Sequence, residues 1–244
     1  MTAAQDDERR RAELVTAVGA VRARIAVACE AVGRDPRSVT LVAVTKSYPA
    51  RDVATLVRLG IQDVGENKDQ EARAKVADTA ALLPGVPPPT WHFVGQLQSR
   101  KARSVVGYAD VVHSVDRPKL VSALAAAVAE VRDRPLDVFV QVSLDADPSR
   151  GGVPVAKLPA LADAVAERPE LRLRGLMAVP PIDSDAEDEF TRLEELAAQT
   201  RRAHPEADAL SAGMSSDLEA AVRHGSTHVR VGTALLGRRE PVFG

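Results

Sequence analysis

The stretch Val39-Thr40-Leu41-Val42-Ala43-Val44-Thr45, followed by Lys46, decides the fold. Seven apolar or β-branched residues stand in a row with no helical period. That is the pattern of a strand buried on both faces, as in a parallel sheet. Similar short runs recur at Ile61 to Gly65, Trp91 to Gly95, Asp110 to Val115, Asp137 to Ser143, Leu173 to Val179, Ala209 to Gly213 and Thr227 to Val231, which makes eight. Helical segments fall between them: Ala50 to Leu59, Asn67 to Leu82, a short piece near Ser99 to Val106, Pro118 to Val131, Pro154 to Ala166, Asp183 to His204 and Ser216 to His224. Strand and helix in alternation imply right-handed βαβ units, and eight of them close into a barrel. Ahead of the first strand, Leu14, Val18, Val21 and Ile25 form one apolar stripe of a helix, with Gly33 as its stop. The expected fold is a single TIM-type (β/α)8 barrel over residues 1–244, with an extra N-terminal helix within 1–34 packing on it. Leu83-Pro84-Gly85-Val86-Pro87-Pro88-Pro89 reads as an irregular loop or, alternatively, as a linker.

The 244 residues suit one such barrel. Aromatic residues make up 3%, so the core must be built from Ala, Val and Leu. A net charge of −2 gives no footprint for nucleic acid or an anionic membrane. Cys29 is the sole cysteine, so no disulfide forms within the chain and a reducing compartment fits. The polar N-terminus, Met1 to Arg11, lacks a secretory apolar region, and no long apolar stretch suggests a membrane span. A cytoplasmic protein is expected.

In this fold, chemistry sits at the C-terminal ends of the strands. Lys46 stands at the end of the first, sharing a face with Val42 and Val44. At the barrel mouth it could attack a carbonyl; the alternative is a solvated lysine. Gly213-Met214-Ser215-Ser216-Asp217-Leu218-Glu219 joins strand seven to a helix, with Ser216 and Glu219 spaced as a capping box. Strand eight ends in Arg230-Val231-Gly232-Thr233. Loops seven and eight are the usual phosphate site of the fold, and N–H groups at a helix start suit that anion; an ordinary cap and turn would look the same. Arg230 shares a face with His228 and Gly232, opposite Val229 and Val231, so it points into the barrel and needs an acidic or lone-pair partner. Asn67 is a ligand candidate or merely a helix cap, and His92 a ligand candidate or a satisfied core histidine. The five histidines show no metal-ligand spacing, and no nucleophile elbow, P-loop or dinucleotide fingerprint occurs.

Together, Leu41 to Lys46, Gly65-Glu66-Asn67, Trp91 to Gly95, Leu97-Gln98 with Lys101, Gly175-Leu176-Met177 and the run Ser211 to Gly232 resemble the pyridoxal phosphate homeostasis protein family, along nearly the whole chain. The resemblance implies a barrel similar to that of alanine racemase. It implies pyridoxal 5′-phosphate held as a Schiff base on Lys46, with its phosphate at Ser215, Gly232 and Thr233, and Arg230 facing the pyridine nitrogen. Met177, Ser211, Asn67 and His92 match positions near the ring. The sequence departs from the family pattern at Lys68, Gln96, Arg100 and around Ser149-Arg150-Gly151-Gly152.

The implied function is intracellular homeostasis of the cofactor, as a carrier or buffer without catalytic residues of its own. Its partners would be pyridoxal phosphate and apo enzymes that use it, with the chain working as a monomer. An amino-acid racemase of the alanine racemase type is the alternative. Against it, the sequence ends at Gly244, just past strand eight, where racemases of this fold are expected to continue into a domain that supplies a tyrosine base. A Schiff-base aldolase acting on sugar phosphates is the third reading.

Overall fold

The computed structural model describes residues 2–145, 147, 150–181 and 184–237. Eight parallel strands form a closed barrel: β1 (Thr40–Val44), β2 (Asp63–Glu66), β3 (Thr90–Phe93), β4 (Val111–Val115), β5 (Leu136–Ser143), β6 (Leu171–Met177), β7 (Ala209–Ser211) and β8 (His228–Val231). Each pairs with the next, and β8 closes on β1 with Val42 opposite Arg230. The helices are α1 (Ala3–Glu30), α2 (Ala50–Arg58), α3 (Asp69–Leu82), α4 (Ala102–Val106), α5 (Pro118–Val131), α6 (Leu158–Ala166), α7 (Ala186–Ala203), α8 (Leu218–Arg223) and α9 (Thr233–Leu236).

Alternation along each strand sorts the two faces. Ala43, Val229 and Val231 point outward and pack with Leu14, Val18, Val21 and Ile25 of α1, Leu218 and Val222 of α8, and Leu235 and Leu236 of α9. The apolar stripe of α1 thus covers the seam where β8 meets β1. Inside the barrel, Val111, Phe139, Met177 and Ala209 form a separate small cluster. Gly175 is required: its φ is +147°, and a Cβ there would lie 1.7 Å from the Ala209 carbonyl oxygen.

Several boundaries differ from the sequence reading. Strand β7 stops at Ser211 because Gly213 turns the chain at φ +90°. Helix α1 ends at Glu30, and the chain turns away through Gly33 at φ +66°. Before α6, Pro154 pairs in a short bridge with Ser143, and a 3₁₀ turn, Val155–Lys157, intervenes. Helix α7 is capped by Asp185; Asp183, the expected start, lies outside the described residues, as does Ser149. The expected capping box at Ser216 and Glu219 does not form. Asp217 is the N-cap, its carboxylate accepts from the Met214 N–H, and Glu219 is drawn instead to Arg24 of α1 at 2.5 Å. Nor does Asn67 cap α3, which starts after Lys68. In the loop from residue 83 to 89, Leu83 is buried against Val53, Val57 and Trp91. Among the described residues no helix is long and apolar enough to cross a membrane.

Candidate functional site

The site is built at the C-terminal mouth of the barrel from the ends of β1, β7 and β8. Val42 and Val44 are buried on the inward face of β1; both would touch a Cβ placed on Gly65 of the neighbouring strand. Lys46 emerges just beyond, and its side chain is exposed with no hydrogen bond or ion pair among the described residues. The next residue, Ser47, has φ +68°, the single positive value among the described non-glycine residues. This left-handed conformation costs free energy and is held from below. Lys75 of α3, only 5% exposed, donates to the Thr45 carbonyl at 2.7 Å, to Glu66 at 2.6 Å and to Glu71 at 3.0 Å, while Glu71 accepts the Ser47 N–H. Burial pushes the Glu66 carboxyl up, against the lowering effect of Lys75 and Thr45.

Arg230 enters the barrel as expected. Its guanidinium is buried and donates to the Ser211 carbonyl at 2.7 Å, the Ser211 Oγ at 2.7 Å and the Ala178 carbonyl at 2.9 Å. Among the described residues no carboxylate touches it, and its partners there are all neutral lone pairs. Burial pushes its pKa down to about 10. Three of the five guanidinium donors are used and two have no acceptor among the described residues.

Loops seven and eight are tied together: Ser215 Oγ accepts the Ala234 N–H at 3.1 Å. The N–H groups of Ser215, Ser216 and Thr233 have no acceptor among the described residues. A small anion fits there, next to the closely packed Gly232, where an added Cβ would lie 3.3 Å from the Val44 carbonyl oxygen.

The remaining candidates divide. Ser211 and Met177 sit opposite one another across the β6–β7 pairing, both buried and facing inward. Asn67 lies at the mouth beyond β2; its Oδ1 is buried without a partner, and its backbone occupies the space that a side chain at Gly95 would take, 2.2 Å from an added Cβ. His92 is buried with both ring nitrogens engaged, one by Asp63 at 2.9 Å and the other by His113 at 2.8 Å. It reaches Arg230 only through His113 and Ser211. Lys68 and Gln96 are exposed in loops and Arg100 is exposed on a 3₁₀ turn, Ser99–Lys101, so the side chains at these departures lie outside the buried interior. No group of His, Cys, Asp or Glu among the described residues could hold a metal. The sequence reading missed His113 and Lys75. An inward-facing histidine at alternate positions of a strand was the available signal for the first, whereas nothing local marks the second.

Comparison with known proteins finds similarity along most of the chain. Residues 17–240 match the family model described as alanine racemase, N-terminal domain. A protein of Mycobacterium tuberculosis (strain ATCC 25618 / H37Rv) named pyridoxal phosphate homeostasis protein is 47% identical, with 94% of each chain covered. The protein of that name from Escherichia coli (strain K12) is 41% identical, over 90% of this chain and 94% of its own. Among solved structures, PipY of Synechococcus elongatus PCC7942 with PLP bound superposes with a TM-score of 0.79 at 34% identity, over 92% of this chain and all of PipY. Alanine racemase from Corynebacterium glutamicum shares the fold, with a TM-score of 0.65 at 17% identity, 93% of this chain matching 62% of that one. The chain belongs to the pyridoxal phosphate homeostasis protein family, built on the barrel of the alanine racemase N-terminal domain.

Proposed function

We propose that the chain binds pyridoxal 5′-phosphate as a Schiff base on Lys46 and serves its intracellular homeostasis as a carrier or buffer, not as an enzyme. The observation that carries this is Arg230: a buried cation with neutral partners, two spare donors and a place one strand away from Lys46. Such a group suits a neutral lone pair like that of a pyridine nitrogen. When bound, the cofactor supplies an aldehyde that attaches reversibly to amines and an electron-withdrawing ring. Arginine donates but does not accept a proton, so it keeps a ring nitrogen unprotonated and weakens that electron sink. Ser215, Gly232 and Thr233 would hold the phosphate. Met177, Ser211 and Asn67, with its orphaned oxygen, would line the ring, and His92 would act from behind.

The carrier role is supported by the exposure of Lys46, which leaves amines and water free to exchange with whatever it holds, whereas chemistry favours a water-excluded site. It is supported too by the tyrosines. The Tyr48 hydroxyl donates to the Gly237 carbonyl at 2.7 Å, and the Tyr108 phenol is buried with its pKa pushed up by desolvation. Neither is poised as the acid that racemisation needs. The names of the relatives support the homeostatic role, and PipY with PLP bound supports the cofactor. The proposal includes one cofactor-binding domain over 1–244, a cytoplasmic monomer, and apo pyridoxal-phosphate enzymes as recipients, without nucleic-acid or membrane partners.

Lys46→Ala is expected to abolish the visible, borohydride-reducible absorption of the loaded protein while leaving its near-ultraviolet circular dichroism intact; an unshifted band in the variant moves the anchor to another lysine. Loaded protein should restore activity to an apo pyridoxal-phosphate enzyme. Exchange of an amino acid's α-proton in deuterated water at enzymatic rates, on the order of 1–1000 per second, would replace the carrier with the racemase.

A further inference from the structure

The barrel interior holds a hydrogen-bonded chain through Arg230, Ser211 and His92 that also includes Asp63 and His113, to which the proposed function gives no role. His92 Nε2 lies 2.9 Å from Asp63 Oδ1, and His92 Nδ1 lies 2.8 Å from His113 Nε2. His113 Nδ1 lies 2.8 Å from Ser211 Oγ, which accepts from Arg230 Nη1 at 2.7 Å. Four strands besides β8 contribute one residue each. The chain starts at Asp63, whose side chain is 28% exposed at the N-terminal end of β2, and ends at the buried guanidinium. His113 is stacked on Phe139, ring centroids 4.6 Å apart, so its ring plane is set by packing as well as by bonding. Barrel interiors of this kind are ordinarily filled by branched apolar side chains. A line of polar groups is costly there unless every member is satisfied.

Proton bookkeeping gives the line a direction. Arginine only donates, so Ser211 Oγ must accept from Arg230 and point its own proton elsewhere. A carboxylate only accepts, so His92 must donate to Asp63 from Nε2. A neutral His92 then accepts at Nδ1, which requires His113 to donate from Nε2. His113 Nδ1 is left to accept, and the Ser211 hydroxyl proton fills it. This arrangement satisfies all four contacts with two neutral rings. The reverse order sets a bare nitrogen lone pair against the Asp63 carboxylate and leaves the Ser211 proton with no acceptor among the described residues. Burial, followed by the nearby His92, Arg230 and His228, holds the His113 pKa well below its ordinary value, in keeping with a neutral ring.

We propose that Asp63, His92, His113 and Ser211 are positioning residues for Arg230, with both histidines locked as Nε2–H tautomers and Asp63 serving as the terminal acceptor that sets the direction of the line. Every donor in the line points from Arg230 toward Asp63. The Ser211 oxygen lone pair is thereby committed to Arg230, and two guanidinium donors stay without an acceptor among the described residues. The consequence for the cofactor rests on the proposed function; the tautomers and the direction of the line do not.

The first test therefore uses protein without cofactor. Long-range proton–nitrogen correlation of histidine-labelled protein should show Nε2–H for both His92 and His113; an Nδ1–H form at either overturns the proposal. Asp63→Asn, which retains an acceptor oxygen, should keep both tautomers. Asp63→Leu should convert His92 and His113 to mixtures, and an unchanged pattern in a folded Asp63→Leu protein overturns the role of Asp63. The second test adds pyridoxal phosphate. Ser211→Ala and Asp63→Leu should each shift the visible absorption maximum of the loaded protein, and Asp63→Asn should restore it; a maximum that stays fixed in both variants overturns the link to Arg230. If no variant and no parent protein takes up the cofactor, the functional reading fails while the tautomer measurement still decides the chain.

Discussion

Ser215 joins the two loops that would receive a phosphate, through one contact from its Oγ to the Ala234 N–H. The neighbouring N–H groups of Ser215, Ser216 and Thr233 give the pocket a positive edge without a cation. Ser215→Asp puts a carboxylate where the anion would sit, so retention of pyridoxal phosphate should fall by about tenfold or more. Affinity for unphosphorylated pyridoxal should change little. Equilibrium dialysis with the two compounds checks this, and an equal loss for both would place the phosphate elsewhere. At this scale the sequence was informative where a residue's position in the fold already defines its job. Lys46 ends a strand, and Arg230 shares an inward face with Gly232. It gave no sign that Asp63, His92 and His113 meet. Their meeting depends on closure of the sheet and on registers such as Gly65 opposite His92, and no local pattern encodes those.

The end of β1 is an element held up by another element. Lys75, projecting from the first half of α3, fastens the Thr45 carbonyl and pairs with Glu66, so the strand tip that carries Lys46 is anchored on a buried ion pair. Glu66 Oε2 has no partner of its own and its carboxyl is already pushed up by burial. Removing Lys75 would strand that group in the core. Lys75→Met should therefore destabilise the protein by about 3–5 kcal/mol, read as a lower urea midpoint. The double variant Lys75→Met, Glu66→Leu should recover most of the loss, because no buried charge is left unpaired. Recovery of stability without recovery of cofactor retention would locate the function of the pair in the geometry of Thr45 to Ser47. The elements themselves were legible because their periods differ: β-branched runs for strands, and an Ala-rich stretch behind Pro118 for α5. Their ends were less so. Gly213 cuts β7 short, and Asp217 rather than Ser216 starts α8, because contacts with Arg24 and Met214 outweigh the local capping pattern.

For the molecule as a whole, His113 and His228 inside the barrel set the response to acid. His92, His113 and His228 have ring centroids between 5.0 and 6.3 Å apart. Burial pushes His228 down to about 4, helped by His92, Arg174 and Arg230 and opposed by Asp63. His113 is lowered well below its ordinary value by burial, then by His92, Arg230 and His228. In the unfolded chain both would titrate near about 6.5. Between that pH and about 4 the unfolded state therefore binds more protons than the folded one, so stability is full above the unfolded value and falls as the solution is acidified. Each such histidine contributes a slope of up to about 1.4 kcal/mol per pH unit in that window. Glu219 adds to the loss only at lower pH: Arg24 holds its carboxyl below the usual range, so that contribution fades as the pH drops through the folded value. The expected result is a urea midpoint that is flat from about pH 8 to 7 and declines from about 6.5 downward. His228→Gln removes one titrating group and should reduce the slope between pH 6 and pH 5 by about 1.4 kcal/mol per unit, even though it gives up the 2.8 Å contact with Thr227 and lowers stability at neutral pH. A midpoint independent of pH over that window, or a slope unchanged in the variant, would mean that the buried histidines take up protons without opening the barrel. The first outcome would contradict the neutral ring of His113 inferred above; the second would remove His228 from the account of the acid response.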